Sequence, residues 1–184
     1  MARAFAEIAF TPAVRAVQER QGSRRAGDRF LADDIDRRDV LTEAEAAFIQ
    51  ARDGFYLGTV TESGWPYVQF RGGPVGFLRV LDEKTVAWAD FRGNRQYLST
   101  GNLNANDRVS MFLMDYPNRR RLKIWGRAQI VDVADNPGLI AALFPDGYAA
   151  IPERAVTVAV AAFDWNCPQH IPQRLTAAEW SAMA

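Results

Sequence analysis

The sequence predicts a mainly β protein, an antiparallel β-barrel with flanking helices, and three observations carry that expectation. Apolar and polar residues alternate in short runs, the signature of strands with one buried face. About six or seven such runs follow one another with few helical stretches between them, whereas a doubly wound parallel sheet needs a helix after nearly every strand. The helical signals gather near the N-terminus, so the chain reads as one domain, 1–184, with an N-terminal helical extension of about residues 1–52.

Phe5–Gln21 opens the chain as a helix, with Thr11-Pro12 as an N-cap and first-turn proline and Gly22 as its stop. Ser23–Asp39 is almost all charge; it is a solvated connector, a substrate lid, or an arm reaching another subunit. Thr42-Glu43-Ala44-Glu45 is a capping box for a helix through Ala51. Strands are then expected at Phe55–Thr61, Trp65–Arg71, Val75–Leu81 and Thr85–Phe91, the last two a hairpin across Asp82-Glu83-Lys84. A short helix, Tyr97–Asn102, separates them from strands at Arg108–Asp115, Leu122–Ile130 and Ala155–Phe163. Helices are expected at Asp135–Leu143, ended by Phe144-Pro145-Asp146-Gly147, and at Ala177–Met183.

Composition excludes several function classes. Twenty-two basic residues balance 22 acidic ones, so the chain has no global attraction to nucleic acid, and the Arg119-Arg120-Arg121 run reads as a solvated face. One cysteine, Cys167, and one histidine, His170, leave no internal disulfide and no multi-histidine or multi-cysteine metal site. No run of about 20 apolar residues long enough to span a membrane occurs, and residues 1–40 lack the long apolar run of a signal peptide. A cytoplasmic, metal-free protein is the expectation.

The chemistry concentrates between Gly64 and Asn106. On the strand Trp65–Arg71, Val68 and Phe70 share one face while Gln69 and Arg71 share the other, so the arginine faces something specific. Gly72-Gly73-Pro74 follows, a turn whose residues without Cβ let backbone N–H groups approach a ligand. Asn94 is a candidate N-cap for the helix beginning at Tyr97, where exposed N–H groups, the helix dipole and Arg95 make an anion site. Arg71 and Arg95 are then placed to grip one phosphate; the alternative is two solvated arginines beside an ordinary turn. The strand Leu122–Ile130 sets Arg121, Lys123, Trp125, Arg127 and Gln129 on one face, which suits a flat aromatic ligand or a second subunit.

These residues resemble the pyridoxamine 5'-phosphate oxidase-like flavoprotein family, particularly a bacterial branch. The resemblance rests on Arg71-Gly72-Gly73-Pro74-x-Gly76-Phe77-Leu78, on Ala89-Asp90-Phe91-x-Gly93-Asn94-Arg95-Gln96-Tyr97 with Ser99-x-Gly101-Asn102-Leu103, and on Asp164-Trp165-Asn166-Cys167-Pro168-Gln169-His170-Ile171. It runs from Phe48 to Arg174 at least. It implies an FMN-binding split β-barrel, a homodimer with the cofactor at the interface, and FMN-dependent oxidoreduction of a small molecule. A protein that holds flavin, or another planar cofactor such as deazaflavin or haem, without turnover is the alternative.

Carried over residue by residue, the resemblance places Arg71 and Arg95 on the FMN phosphate, and Asp90 and Phe91 against the flavin ring and ribityl chain. Gln69, Lys123 and Trp125 become candidates for ring contacts, and Trp165 packs on the isoalloxazine or on the barrel. Gln169 and His170 would line the substrate side, with Arg174 nearby. Where pyridoxamine phosphate oxidases carry Ser-Arg-Lys, this chain has Asn94-Arg95-Gln96, so the phosphate leans more on arginine. The C-terminal substrate motif of those oxidases is not reproduced around Arg174-Leu175, which turns the expectation from vitamin B6 oxidation to a general flavin-dependent redox role. Cys167 and His170 also suggest a nucleophile with its base, but Pro168 disfavours a helix that would make them face one another.

Overall fold

Seven strands carry the fold: β1 (Gly54–Val60), β2 (Pro66–Gly72), β3 (Arg79–Asp82), β4 (Thr85–Phe91), β5 (Arg108–Asp115), β6 (Arg120–Asp132) and β7 (Pro152–Trp165). The structure is a computed structural model and describes residues 1–183. Neighbouring strands all pair antiparallel, in the order β2-β1-β5-β6-β7-β4-β3. The sheet curls until its inner faces meet, and Leu57, Trp88, Met111, Leu113, Ile124 and Val158 share one buried core. This is a mainly β split barrel; the alternation foretells the antiparallel barrel, and the resemblance its split form.

Closure is visible in contacts between strands that are far apart in the sheet. Phe55 of β1 meets Trp88 of β4 edge to face, with ring centroids 5.1 Å apart, although β5, β6 and β7 lie between them in the order. At the rim the same seam is bridged by charge: Arg71 Nη1 of the edge strand β2 lies 3.0 Å from Asp90 Oδ1 of β4.

Among the described residues seven α-helices flank the barrel: α1 (Ala4–Ala9), α2 (Pro12–Arg20), α3 (Arg24–Asp28), α4 (Glu43–Gln50), α5 (Leu98–Ala105), α6 (Pro137–Leu143) and α7 (Ala177–Met183). The capping box forms on α4: the Thr42 N–H donates to Glu45 Oε2 at 3.0 Å, and Thr42 Oγ1 accepts from the Ala44 N–H at 3.3 Å. That helix drives Phe48 and Ile49 into the core. On the opposite side of β4, Ala87 and Ala89 pack with Ile140 and Leu143 of α6, so this strand is buried on both faces.

The structure corrects four boundaries. The expected helix Phe5–Gln21 is two helices, because Pro12 lacks an N–H and Thr11 before it is held extended at φ −61° and ψ 163°. The charged stretch Ser23–Asp39 is not a bare connector but contains α3 and a 3-10 turn, Arg29–Leu31. The strand Val75–Leu81 is only β3, Arg79–Asp82; a turn at Gly76, φ +87°, sends Phe77 and Leu78 inward as a core plug. The helix Asp135–Leu143 begins later, at Pro137, with Asn136 Oδ1 accepting from the Leu139 N–H at 2.9 Å.

Between Trp125 and Gly126 the pairing of β6 with β7 shifts register. A Cβ built on Gly126 would stand 2.5 Å from the carbonyl oxygen of Ala159 and 2.5 Å from Val158 Cγ1. Gly126→Ala therefore forces the two longest strands apart and should cost about 1–3 kcal/mol. Urea unfolding checks this; an unchanged midpoint and slope would contradict the close approach.

Candidate functional site

At the split between the two sheet edges lies a polar cleft of about 160 Å³. The alternation of β2 supplies one wall: Tyr67, Gln69 and Arg71 face the cleft, while Val68 and Phe70 point outward and are 63% and 55% exposed. The end of β4 supplies Asp90 and Phe91, and the turn after it supplies Asn94, Arg95 and Gln96. Seven of the residues singled out from the sequence thus meet in one place.

Local backbone chemistry explains how the turn is shaped. Asn94 does not cap the helix; its Oδ1 accepts from the Gln96 N–H at 3.1 Å and tightens the turn instead. Arg95 and Tyr97 both adopt left-handed backbone, φ 62° and 53°, a conformation that costs side-chain-bearing residues energy and clusters at functional sites. Tyr97 is the N-cap residue, with no side-chain hydrogen bond to the helix, and α5 follows from Leu98. The first-turn N–H groups of this eight-residue helix have no partner within it and open toward the cleft beside Ser99 and Thr100.

The charges in the cleft are incompletely matched. Asp90 is 8% exposed, and burial pushes its carboxyl above the usual carboxylate range, against the pull of Arg71 and Arg154. Arg71 Nε and Ser99 Oγ are shielded from solvent without a hydrogen-bond partner. Buried donors left unpaired are expensive, and two of them beside an exposed Arg95 and a helix N-terminus fit an anion with several acceptor oxygens.

Other expected site residues lie elsewhere. Gly72 and Gly73 make room for Phe70 and Phe77, whose ring atoms would meet added Cβ atoms at 2.9 and 2.7 Å; the Gly73 N–H donates to Asp53 O at 3.0 Å and is not free for a ligand. Trp165 takes the barrel option, donating from Nε1 to Glu45 Oε1 at 2.7 Å and meeting Phe48 at 4.6 Å. Gln169, His170 and Arg174 follow β7 on an exposed C-terminal segment, with Arg174 over the Tyr116 ring. Lys123 and Trp125 stand on the outer face of β6 beneath α1, where Phe5 stacks on Trp125 at 4.5 Å and Lys123 Nζ lies 4.4 Å from the Phe5 ring centroid. Burial lowers the pKa of Lys123.

Trp125 also lines a second hollow, an apolar groove of about 610 Å³ on the outside of the sheet. Gly58, Val60, Val68 and Ile8 are among the residues that line it, and Tyr67 borders both groove and cleft. Sequence reasoning missed Tyr67, Ser99, Glu153 and Arg154. Tyr67 was legible in the β2 alternation that exposed Arg71; Glu153 and Arg154 reach the site only through pairing of β7 with β4, which no local pattern announces.

No curated protein sequence matches the chain. Among solved structures it is similar in fold to HupZ of Group A Streptococcus, at 15% identity and TM-score 0.56 over 73% of this chain and 99% of that one. It is likewise similar to an FMN-binding protein from Syntrophomonas wolfei, at 12% identity and TM-score 0.52, covering 83% and 97% of the two chains. A third likeness is to a conserved hypothetical protein from Mycobacterium tuberculosis, at 17% identity and TM-score 0.52 over 78% and 97%. The family model described as pyridoxamine 5'-phosphate oxidase matches residues 41–163, a span that takes in every strand through Phe163 and the whole polar cleft. On that match the chain belongs to the pyridoxamine 5'-phosphate oxidase family.

Proposed function

We propose that this protein is an FMN-dependent oxidoreductase acting on a small molecule, working as a homodimer with cofactor sites at the subunit interface. The observation that carries the reading is the cleft at the barrel seam, where Arg71, Arg95, the start of α5 and two unpartnered donors converge on a space suited to a phosphate. Arg71 and Arg95 would hold the phosphate, and Gln69, Asp90 and Phe91 would meet the ribityl chain and ring. The adjoining groove, with Trp125 on one side, offers the apolar surface that a flavin ring needs.

When bound, FMN supplies hydride chemistry, and the chain's own task is to bind, orient and keep water away. Lys123, Trp125, Gln169, His170 and Arg174 lie outside the polar cleft, and a second copy of the chain is the route by which such residues join a shared site. The outer face of the edge strand supports that pairing: Val68, which lines the groove, and Phe70 expose apolar surface there, and surface of this kind is costly to leave in water.

Three outcomes test the proposal. The freshly purified protein should show oxidised-flavin absorbance, release a compound of FMN mass, and bleach with NADH or NADPH; flavin that stays oxidised with any donor would favour a carrier without turnover, and a colourless protein that cannot be reconstituted would remove the cofactor assignment. Arg95→Ala should weaken FMN retention by about 1.5–3 kcal/mol, roughly ten- to a hundredfold, in a protein of unchanged circular dichroism. Wild-type affinity in that variant would defeat the phosphate assignment. Phe70→Asp should convert a dimer into a monomer in sedimentation velocity by placing a charge on the apolar outer face; a dimer that persists would move the interface elsewhere.

A further inference from the structure

One partly buried charged pair has no part in the reading above: Glu153 and Arg154, at the start of β7, each with a side chain 12% exposed. Arg154 stands opposite Asp90 in the β4–β7 ladder. Its Nη1 donates to Thr100 Oγ1 in the first turn of α5 at 2.8 Å, and its Nη2 donates to Glu153 Oε2 at 3.2 Å. Its guanidinium lies 5.0 Å from the centre of the Tyr97 ring. Glu153 in turn accepts from Arg92 Nε at 3.0 Å and from the Tyr97 hydroxyl at 3.2 Å.

Four separate parts of the chain therefore meet on this pair: the residue after β4, the left-handed turn, the start of α5 and the strand β7. Left-handed backbone at a residue such as Tyr97 is strained and persists only when its surroundings hold it. The holding contacts here are Arg154 beneath the ring and Glu153 at the hydroxyl. Remove them and the turn relaxes, and with it the aim of the first-turn N–H groups of α5. Arg154 Nε is itself shielded and without a partner.

We propose that Arg154, braced by Glu153, is a positioning residue for the anion subsite. It fixes Tyr97 and Thr100 in the arrangement that admits a phosphate monoester, and so sets the preference of the cleft for a phosphorylated ligand over its dephosphorylated counterpart. This inference rests on the FMN reading, with the flavin's phosphate as the monoester recognised.

The test compares dissociation constants for FMN and for riboflavin, which lacks the phosphate, by flavin fluorescence in the wild-type protein and three variants. Arg154→Met and Thr100→Val should each weaken FMN binding by about tenfold or more, while riboflavin affinity stays within about twofold. Thr100→Val removes a single hydrogen bond at nearly constant shape and leaves the fold intact if Arg154→Met does not. Arg154→Lys keeps a charge but not the forked geometry, and it should remain as weak as Arg154→Met. Parallel loss of FMN and riboflavin, no loss of either, or full recovery with lysine would overturn the positioning role. A wild-type protein that binds FMN no more tightly than riboflavin would overturn the phosphate reading itself, and this inference with it.

Discussion

The Arg71–Asp90 ion pair is the contact on which the site depends. It joins one edge strand to a strand near the other edge, across a seam that no backbone ladder closes. Burial pushes the Asp90 carboxyl above its usual range, and the charges of Arg71 on β2 and Arg154 on β7 pull against that shift. The same pair holds the mouth of the cleft at a fixed width while leaving Arg71 Nε unpaired. In the proposed reading, structural closure and ligand recognition thus share one side chain. A ligand that engages Arg71 in the folded barrel draws on the free energy of the seam and adds to it by mass action, since the unfolded chain offers no such site.

Much of the fold was legible because strands announce themselves through period-two burial. Val109, Met111 and Leu113, or Leu122 and Ile124, need no tertiary information to be assigned inward. The failures have a common cause in competition between local signals. Val75–Leu81 is apolar enough for a strand, but Gly76 and the vacancy in the barrel end turn Phe77 and Leu78 into a plug. Asn94 has the chemistry of an N-cap and uses it two residues early, on the Gln96 N–H, because Tyr97 takes the capping position by backbone conformation.

The cleft was legible where it lies on contiguous chain, from Tyr67 to Arg71 and from Asp90 to Gln96. It was illegible where register decides. Arg154 faces Asp90 because β7 and β4 pair in one phase; a shift of one residue would have turned it to the opposite face. Gly72 and Gly73 mislead for a different reason. Glycine marks any close approach, and here what comes close is Phe70 and Phe77 rather than a ligand.

Residues 1–40 lie outside the span matched by the family model, and the way they are attached differs from the way the barrel is held. Apolar contact comes from Ala4, Ala6, Ile8 and the stack of Phe5 on Trp125, and the Phe163 N–H donates to Arg38 O at 2.9 Å; around these stand ion pairs, Arg3 and Arg38 on Asp164 and Lys84 on Asp39. Partly exposed ion pairs are each worth about 0–1 kcal/mol and are screened over a Debye length of about 8 Å at physiological ionic strength. The core feels no such screening. Added salt thus weakens the ionic part of this attachment, while the Phe5 stack that covers Trp125 and the barrel beneath it are held by contacts that ions do not screen.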